Sequence, residues 1–95
     1  MVHGGDFTIR GGSADGGIAD KAGWAIKQAY TNRLPYIRLL DATGGSVRTF
    51  ESMGRTYLPA NDRIAEAELL QMVPCVSAVM GSVAGLPAVQ AAMCH

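Results

Sequence analysis

The residues with the clearest potential for chemistry are glycines in two turns. Gly44-Gly45 follows one apolar run of the chain, and the segment 81–85, which begins and ends with glycine, follows another. Glycine tolerates positive φ and lets a ligand approach the main chain closely. A helix that begins after such a turn presents unpaired N–H groups and a partial positive charge. Two such turns side by side would supply two N–H donors to one developing oxyanion.

Each of these features also has a simpler interpretation. Taken alone, Gly44-Gly45 is more typical of a tight turn after a strand, and Gly85 is equally consistent with close packing of a helix against a strand. Asp41 ends a predicted strand, where α/β sheets place their sites. A carboxylate that bonds local N–H groups is nevertheless favoured there over a general base, because the sequence offers it no visible partner.

Composition limits the class of protein. The chain has 95 residues, enough for one small domain, and 48% of them are hydrophobic, which excludes intrinsic disorder. Its net charge of +0, from 8 basic and 8 acidic side chains, gives no electrostatic reason to bind nucleic acid or an anionic membrane. Glycines and prolines interrupt the apolar stretch 72–89, so no membrane span is expected.

The two cysteines have no partner at metal-ligand spacing. Cys75 and Cys94 lie in apolar runs without a CxxC motif, so no metal site is expected. They are interpreted as small buried hydrophobic residues rather than a disulfide. Together with the absence of a recognisable signal peptide, this favours a reducing, cytoplasmic location.

The elements that must position the glycine turns follow from periodicity and breakers. Alternation predicts a strand at 6–10, and helical spacing predicts a helix at 18–32, with Asp15 as a possible N-cap, ended by Leu34-Pro35. A strand interrupted by Arg38 is predicted at 36–40, followed by one or two helical turns at 49–54 and an irregular stretch at 55–61. A helix capped by Asp62 is predicted at 63–72. The next strand, at 75–80, is nearly all apolar and is therefore predicted to be central, and a helix at 88–94 follows with Pro87 at its start.

This alternation predicts an α/β fold with mostly parallel strands and right-handed crossovers. The final helix stays apolar at Met93-Cys94 without a C-cap. Such an open apolar face favours a chain that is part of something longer and not a stable monomer.

Four segments resemble one known family in their order and spacing. They are DFTIRGGS at 6–13, NRLP at 32–35, LDATGGS at 40–46 and VMGSVAG at 79–85. Together they are similar to the carboxyltransferase (β) subunit of biotin-dependent acyl-CoA carboxylases of the propionyl-CoA and acetyl-CoA carboxylase type. The resemblance implies a crotonase-like core, a spiral of ββα units, with residues 1–95 as the central part of an N-terminal acyl-CoA carboxyltransferase domain.

The activity that the resemblance implies is carboxyl transfer from carboxybiotin to the α-carbon of an acyl-CoA. Backbone N–H groups would stabilise the enolate oxygen of the thioester, with Gly44, Gly45 and Gly85 as the catalytic positions. With this activity the substrate-binding residues would be Gly11, Gly12, Arg48, Ala84 and Leu86. Taken alone, Gly11-Gly12 is more typical of a plain loop and Arg48 of a solvated surface charge. The implied cofactor is biotin carried on a partner protein, the substrate is a coenzyme A thioester, and no metal is required. The implied partners are a biotin carboxylase or biotin carrier subunit and further copies of the full subunit.

The sequence departs from the family pattern at both turns. The family has Ser-Gly-Gly-Ala-Arg at the first turn, whereas here Arg48 lies one position further along, after Ser46-Val47. At the second turn the family has Ala-Gly-Gly, whereas Leu86-Pro87 follows Gly85 here. Pro87 has no N–H to donate, so Gly85 or Leu86 would have to act, and Leu86 would narrow the pocket.

Two other functions stay open at this point. One is a catalytically inactive fragment of such a subunit, with a structural or assembly role. The other is a different crotonase-like acyl-CoA enzyme, a hydratase or a decarboxylase, which would share the oxyanion chemistry without needing biotin.

Overall fold

The protein is a small α/β domain built on a three-stranded parallel sheet. The computed structural model describes residues 1–13, 19–55 and 66–95. The described elements are, in chain order, β1 (Val2–Gly4), α1 (Ala19–Asn32), β2 (Tyr36–Leu40), α2 (Val47–Met53), α3 (Glu66–Met72), β3 (Cys75–Val79) and α4 (Leu86–Ala92). Both strand pairs are parallel, as the alternation of strands and helices predicts.

The best predicted elements have local sequence signals. α1 runs to Asn32 and β2 covers 36–40, because a helical apolar stripe ends before Leu34-Pro35 and a short apolar run follows. α4 begins at Leu86, with Pro87 in its first turn where no N–H is needed. The predicted caps Asp15 and Asp62 and most of the stretch 55–61 lie outside the described residues.

Three helices cover the same face of the sheet. The buried core joins α1, through Ala25, Ile26 and Ala29, to Leu69 of α3 and to Tyr36 and Cys75 of the sheet. On β2, Arg38 points to the same side as Tyr36, because side chains alternate along a strand, and it contacts Glu66 of α3 and Gln90 of α4. α1, α3 and α4 therefore pack on this face, and β1 and β3 form the two edges.

The opposite face of the sheet is apolar and open. Val2, Ile37 and Val76 are in register across the three strands and are 59%, 40% and 53% exposed. Parallel sheets are normally covered on both faces. This open face is therefore an unusual exposure of apolar surface for so small a domain.

The strand predicted at 6–10 is wrong. The Asp6 carboxylate accepts hydrogen bonds from the Thr8 amide and hydroxyl, at 2.9 and 2.6 Å, which folds the segment into turns and lowers the pKa of Asp6. The first strand is instead β1, which the sequence prediction missed. Its three residues show no alternation and are held by pairing with β2, far along the chain. Directly after the strand, the Gly5 amide donates to the Leu39 carbonyl at 3.2 Å.

The central position predicted for the third strand is also wrong. β2 lies in the middle of the sheet and β3 at an edge, where Val76 and Val79 are exposed. An all-apolar composition therefore does not fix the place of a strand in the strand order. Within the described part of the chain, no helix has the length and apolar character needed to cross a membrane.

Candidate functional site

Three glycine-containing segments meet beyond the carboxyl ends of the parallel strands. The segment Arg10–Gly12 folds back over the residues that follow β2, with φ of 52°, 64° and 65° along its three residues. The Thr43 amide and hydroxyl both donate to the Gly11 carbonyl at 3.0 Å. Gly12 lies so close to the Asp41 carbonyl that a Cβ at this position would clash with it. Gly11 and Gly12 are thus brought against the first glycine turn.

The two glycine turns predicted from the sequence touch each other. Gly44 has φ +89°, and a Cβ at this position would lie 3.0 Å from the Ala84 carbonyl oxygen and 3.7 Å from the Gly85 α-carbon. Gly85 has φ +67° and ψ −140°, a conformation almost restricted to glycine. The Ala84 amide donates to the Ala42 carbonyl at 3.1 Å. The turns therefore adjoin through backbone atoms, as their proposed cooperation requires.

The Asp41 carboxylate lies between these turns and the end of β3. A Cβ on Gly81 would lie 2.5 Å from one oxygen of this carboxylate, so only glycine fits here without a shift of the acid. The Met80 amide donates to the Leu40 carbonyl at 2.8 Å and extends the pairing of β2 and β3 past the strands. Asp41 is thus partly buried beyond the carboxyl ends of the strands, beside all three glycine segments.

A cavity of about 280 Å³ adjoins the first glycine turn. It is lined by Arg10, Ser13, Thr43, Gly45, Ser46, Val47 and Arg48. The Ser46 hydroxyl accepts the Thr49 amide at 3.2 Å and caps α2, which fixes the start of the helix beside the turn. Two of the predicted site residues, Gly45 and Arg48, therefore line this cavity.

The other predicted site residues lie either in the contact between the two glycine turns or next to it. Ala84 lies in the contact between the turns through its carbonyl group. Leu86 is the first residue of α4, is 48% exposed and lies outside the lining of the cavity. Gly45 takes part in an isolated β-bridge, so part of its backbone hydrogen bonding is already used.

A buried ionic network, which the sequence prediction missed, lies on the covered face of the sheet at the central strand. Arg38 is 4% exposed and its Nη2 lies 3.2 Å from Oε1 of Glu66. The Gln90 amide group donates to the same carboxylate, and the Arg38 guanidinium lies 5.2 Å from the centre of the Tyr36 ring. The network therefore joins the central strand to α3 and α4.

The charge state of this network follows from its contacts. Burial alone would lower the pKa of Arg38, but the Glu66 carboxylate and Tyr36 raise it overall, so the guanidinium stays charged. Burial raises the pKa of Tyr36, whose buried hydroxyl has no hydrogen-bond partner in the described structure. The available sequence signal was the position of Arg38, a cation in a short apolar run and in alternation with Tyr36 and Leu40.

His3 neighbours Arg38 across the β1–β2 pairing and makes stability depend on pH. Burial and then the Arg38 charge lower the pKa of His3 from 6.5. The folded chain therefore binds this proton more weakly than the unfolded chain, and stability is lost as the pH falls below 6.5. We expect urea unfolding to give a lower free energy at pH 5.5 than at pH 7.5. The His3→Gln variant should lose most of this difference, and an equal pH dependence in both proteins would contradict the assignment.

Residues 1–13, 19–55 and 66–95 contain no group of three or more His, Cys, Asp or Glu side chains placed to hold a metal ion. The arrangement beyond the carboxyl ends of the strands is a set of backbone turns beside a cavity lined by two arginines, Arg10 and Arg48. Comparison with protein-family models, with curated proteins and with solved structures finds no match for this chain.

Proposed function

We propose that this chain forms part of the acyl-CoA site of a biotin-dependent carboxyltransferase. In this proposal it is the central part of a crotonase-like domain in the cytoplasm, and a partner protein carries the biotin. The reaction is transfer of the carboxyl group from carboxybiotin to the α-carbon of an acetyl-CoA or propionyl-CoA type thioester. The observation that carries the proposal is the direct contact of the two glycine turns, Gly44-Gly45 and Ala84-Gly85.

That contact suits the stabilisation of an enolate. Loss of the α-proton places negative charge on the thioester oxygen, and fixed N–H donors aimed at that oxygen lower the barrier by roughly 3–4 kcal/mol each. The N–H groups of Gly44 and Gly85 make no hydrogen bond to other described residues. Neither position can carry a side chain without strain. Gly85 is exposed, whereas Gly44 is buried beside the exposed Gly45 that lines the cavity.

The cavity beside the first turn supplies the second part of the proposal. A coenzyme A thioester carries phosphates, and guanidinium groups bind phosphates with paired hydrogen bonds. In this proposal Arg48 takes that role, while Gly11 and Gly12 form the wall of the entry path. Leu86, at the margin, limits the space available to the acyl chain.

The test is a titration of the ¹⁵N-labelled chain with propionyl-CoA, followed by amide chemical shifts. We expect saturable shifts at Gly44 and Gly85, and at least about 10²-fold tighter binding of an analogue in which a nitronate replaces the enolate, as for other transition-state mimics. Free coenzyme A, which lacks the thioester, should leave these two amides unshifted.

Matched variants make the outcome specific. Gly44→Ala introduces a Cβ 3.0 Å from the Ala84 carbonyl oxygen and should abolish the preference for the nitronate analogue. Gly54→Ala also has a positive φ but has nothing within 4 Å of its Cβ, and it should bind like the wild type. Equal affinity for coenzyme A and propionyl-CoA, with silent turn amides, would contradict the proposal.

A second function, assembly without catalysis, is favoured by the open apolar face of the sheet. Val2, Ile37 and Val76 form an apolar row on a face that parallel sheets normally cover. In that case the chain supports a larger subunit and its glycine turns only permit close packing. The same titration separates the two functions, because an assembly element has no reason to distinguish a thioester from free coenzyme A.

A further inference from the structure

The two cysteines lie against each other where α4 returns to the sheet. Cys75 is the first residue of β3 and is 3% exposed, and Cys94 follows the end of α4 and is partly exposed. The His95 amide donates to the Cys75 carbonyl at 3.0 Å, and the Cys75 amide donates to Nδ1 of His95 at 3.1 Å. The residue next to Cys94 is thus bonded to Cys75 in both directions.

Backbone and core contacts hold Cys94 beside Cys75. The residue after Cys94 donates its amide to the carbonyl of Cys75 itself, and Cys94 packs against the buried cluster that contains Cys75. A disulfide between the two requires α-carbons about 4.4–6.8 Å apart.

The two thiols bond to different backbone carbonyls: Sγ of Cys75 donates to Val73 at 3.6 Å and Sγ of Cys94 donates to Gln90 at 3.4 Å. Sγ of Cys94 lies 2.9 Å from the Ser77 hydroxyl, and Ser77 is two residues from Cys75 on the same face of β3. Both cysteines line one small cavity between α4 and the sheet. A disulfide therefore requires both thiols to leave these carbonyls by rotation about their Cα–Cβ bonds.

The environments of the two thiols assign them different roles. Burial, followed by the nearby Cys94, raises the pKa of the Cys75 thiol, so Cys75 is the poorer initial nucleophile. Cys94 is partly exposed, and the Ser77 hydroxyl can donate a hydrogen bond to its thiolate. Cys94 is therefore the thiol that a soluble disulfide meets first.

We propose that Cys94 and Cys75 are a reversible thiol modification site that closes to a disulfide. The Cys94 thiolate attacks glutathione disulfide and releases one glutathione thiolate. Cys75 then loses its proton, attacks the Cys94 sulfur of the mixed disulfide and releases the second glutathione. Two protein thiols are oxidised and one glutathione disulfide is reduced to two glutathiones. The bond ties the end of α4 to β3, and so fixes the helix that Gly85 caps.

The test is oxidation of the chain with glutathione disulfide, followed by intact mass under non-reducing conditions. We expect the wild type to lose the mass of two hydrogen atoms as a monomer. The Cys75→Ser variant should stop at the mixed disulfide and gain one glutathione at Cys94. The Cys94→Ser variant should react far more slowly, and dithiothreitol should restore the reduced masses.

Thermal unfolding gives a second readout. The oxidised wild type should unfold at a higher temperature than the reduced form, because the crosslink removes freedom from the unfolded chain. A wild type that accumulates glutathione adducts as fully as Cys75→Ser, or that forms only disulfide-linked dimers, would overturn the proposal. This inference does not rest on the acyl-CoA function, so failure of either test leaves the other result interpretable.

Discussion

Replacement of Glu66 by glutamine is expected to lower the free energy of unfolding by about 3 kcal/mol, the lower end of the range for breaking a buried ion pair. Arg38 is 4% exposed on the central strand, and in the variant its guanidinium keeps no compensating charge among its described contacts. The Glu66 side chain is 20% exposed, which places the cost at the lower end of that range. Urea unfolding at neutral pH measures the effect.

A double-mutant cycle separates the pair from its surroundings. Arg38→Met alone should also destabilise, because it leaves the Glu66 carboxylate without its cation and the Gln90 carbonyl without its donor. The double variant Arg38→Met/Glu66→Leu should recover much of the loss, since apolar replacement of both buried charges is often neutral. A cost below about 1 kcal/mol for Glu66→Gln would place the pair among exposed salt bridges and contradict its structural role.

The network matters to the candidate site because of where α4 begins. Gln90 lies on α4 and is held by Glu66, while Gly85 caps the other end of the same helix. A weaker ion pair also weakens the contact of Glu66 with Gln90, which holds α4, the helix that follows the second glycine turn. Amide shifts of Gly85 in the Glu66 variant therefore report whether the contact between the turns depends on this support.

The parts of the fold that the sequence predicted have short-range causes. The limits of β2 and the end of α1 follow from an apolar run and a proline within a few residues, so neighbouring side chains decide them. β1 has no such signal. It is a strand because Ile37 and Leu39, more than thirty positions away, bond to its backbone and to the residues beside it.

In the candidate site, too, only the features with local causes could be predicted from the sequence. Glycine type and spacing predicted that Gly44 and Gly85 occupy turns beside helices, because only glycine adopts their conformations easily. The contact between the two turns was a hypothesis that required the strand order. The ion pair of Arg38 was missed because its partner lies 28 residues away on another element, and no local pattern names it.

Gly12→Ala is expected to be the most damaging single substitution among the glycines of the site. At φ +65° an alanine is strained by about 1–2 kcal/mol relative to glycine. Its Cβ would also clash with the Asp41 carbonyl and would lie 3.0 Å from the Ala42 α-carbon, both backbone atoms that cannot rotate away. Forcing such overlap costs about 1–3 kcal/mol more, so we expect a total loss of about 2–5 kcal/mol.

Gly54→Ala is the matched control because it has the same φ of +65° and open space around the new Cβ. It ends α2 in a left-handed cap, where alanine carries only the conformational strain, about 1–2 kcal/mol. The difference between the two variants in urea unfolding therefore isolates the contact of the Arg10–Gly12 segment with the residues after β2. Equal losses would mean that the backbone angle alone requires glycine at position 12, and that the close packing of this segment on the first glycine turn contributes no stability.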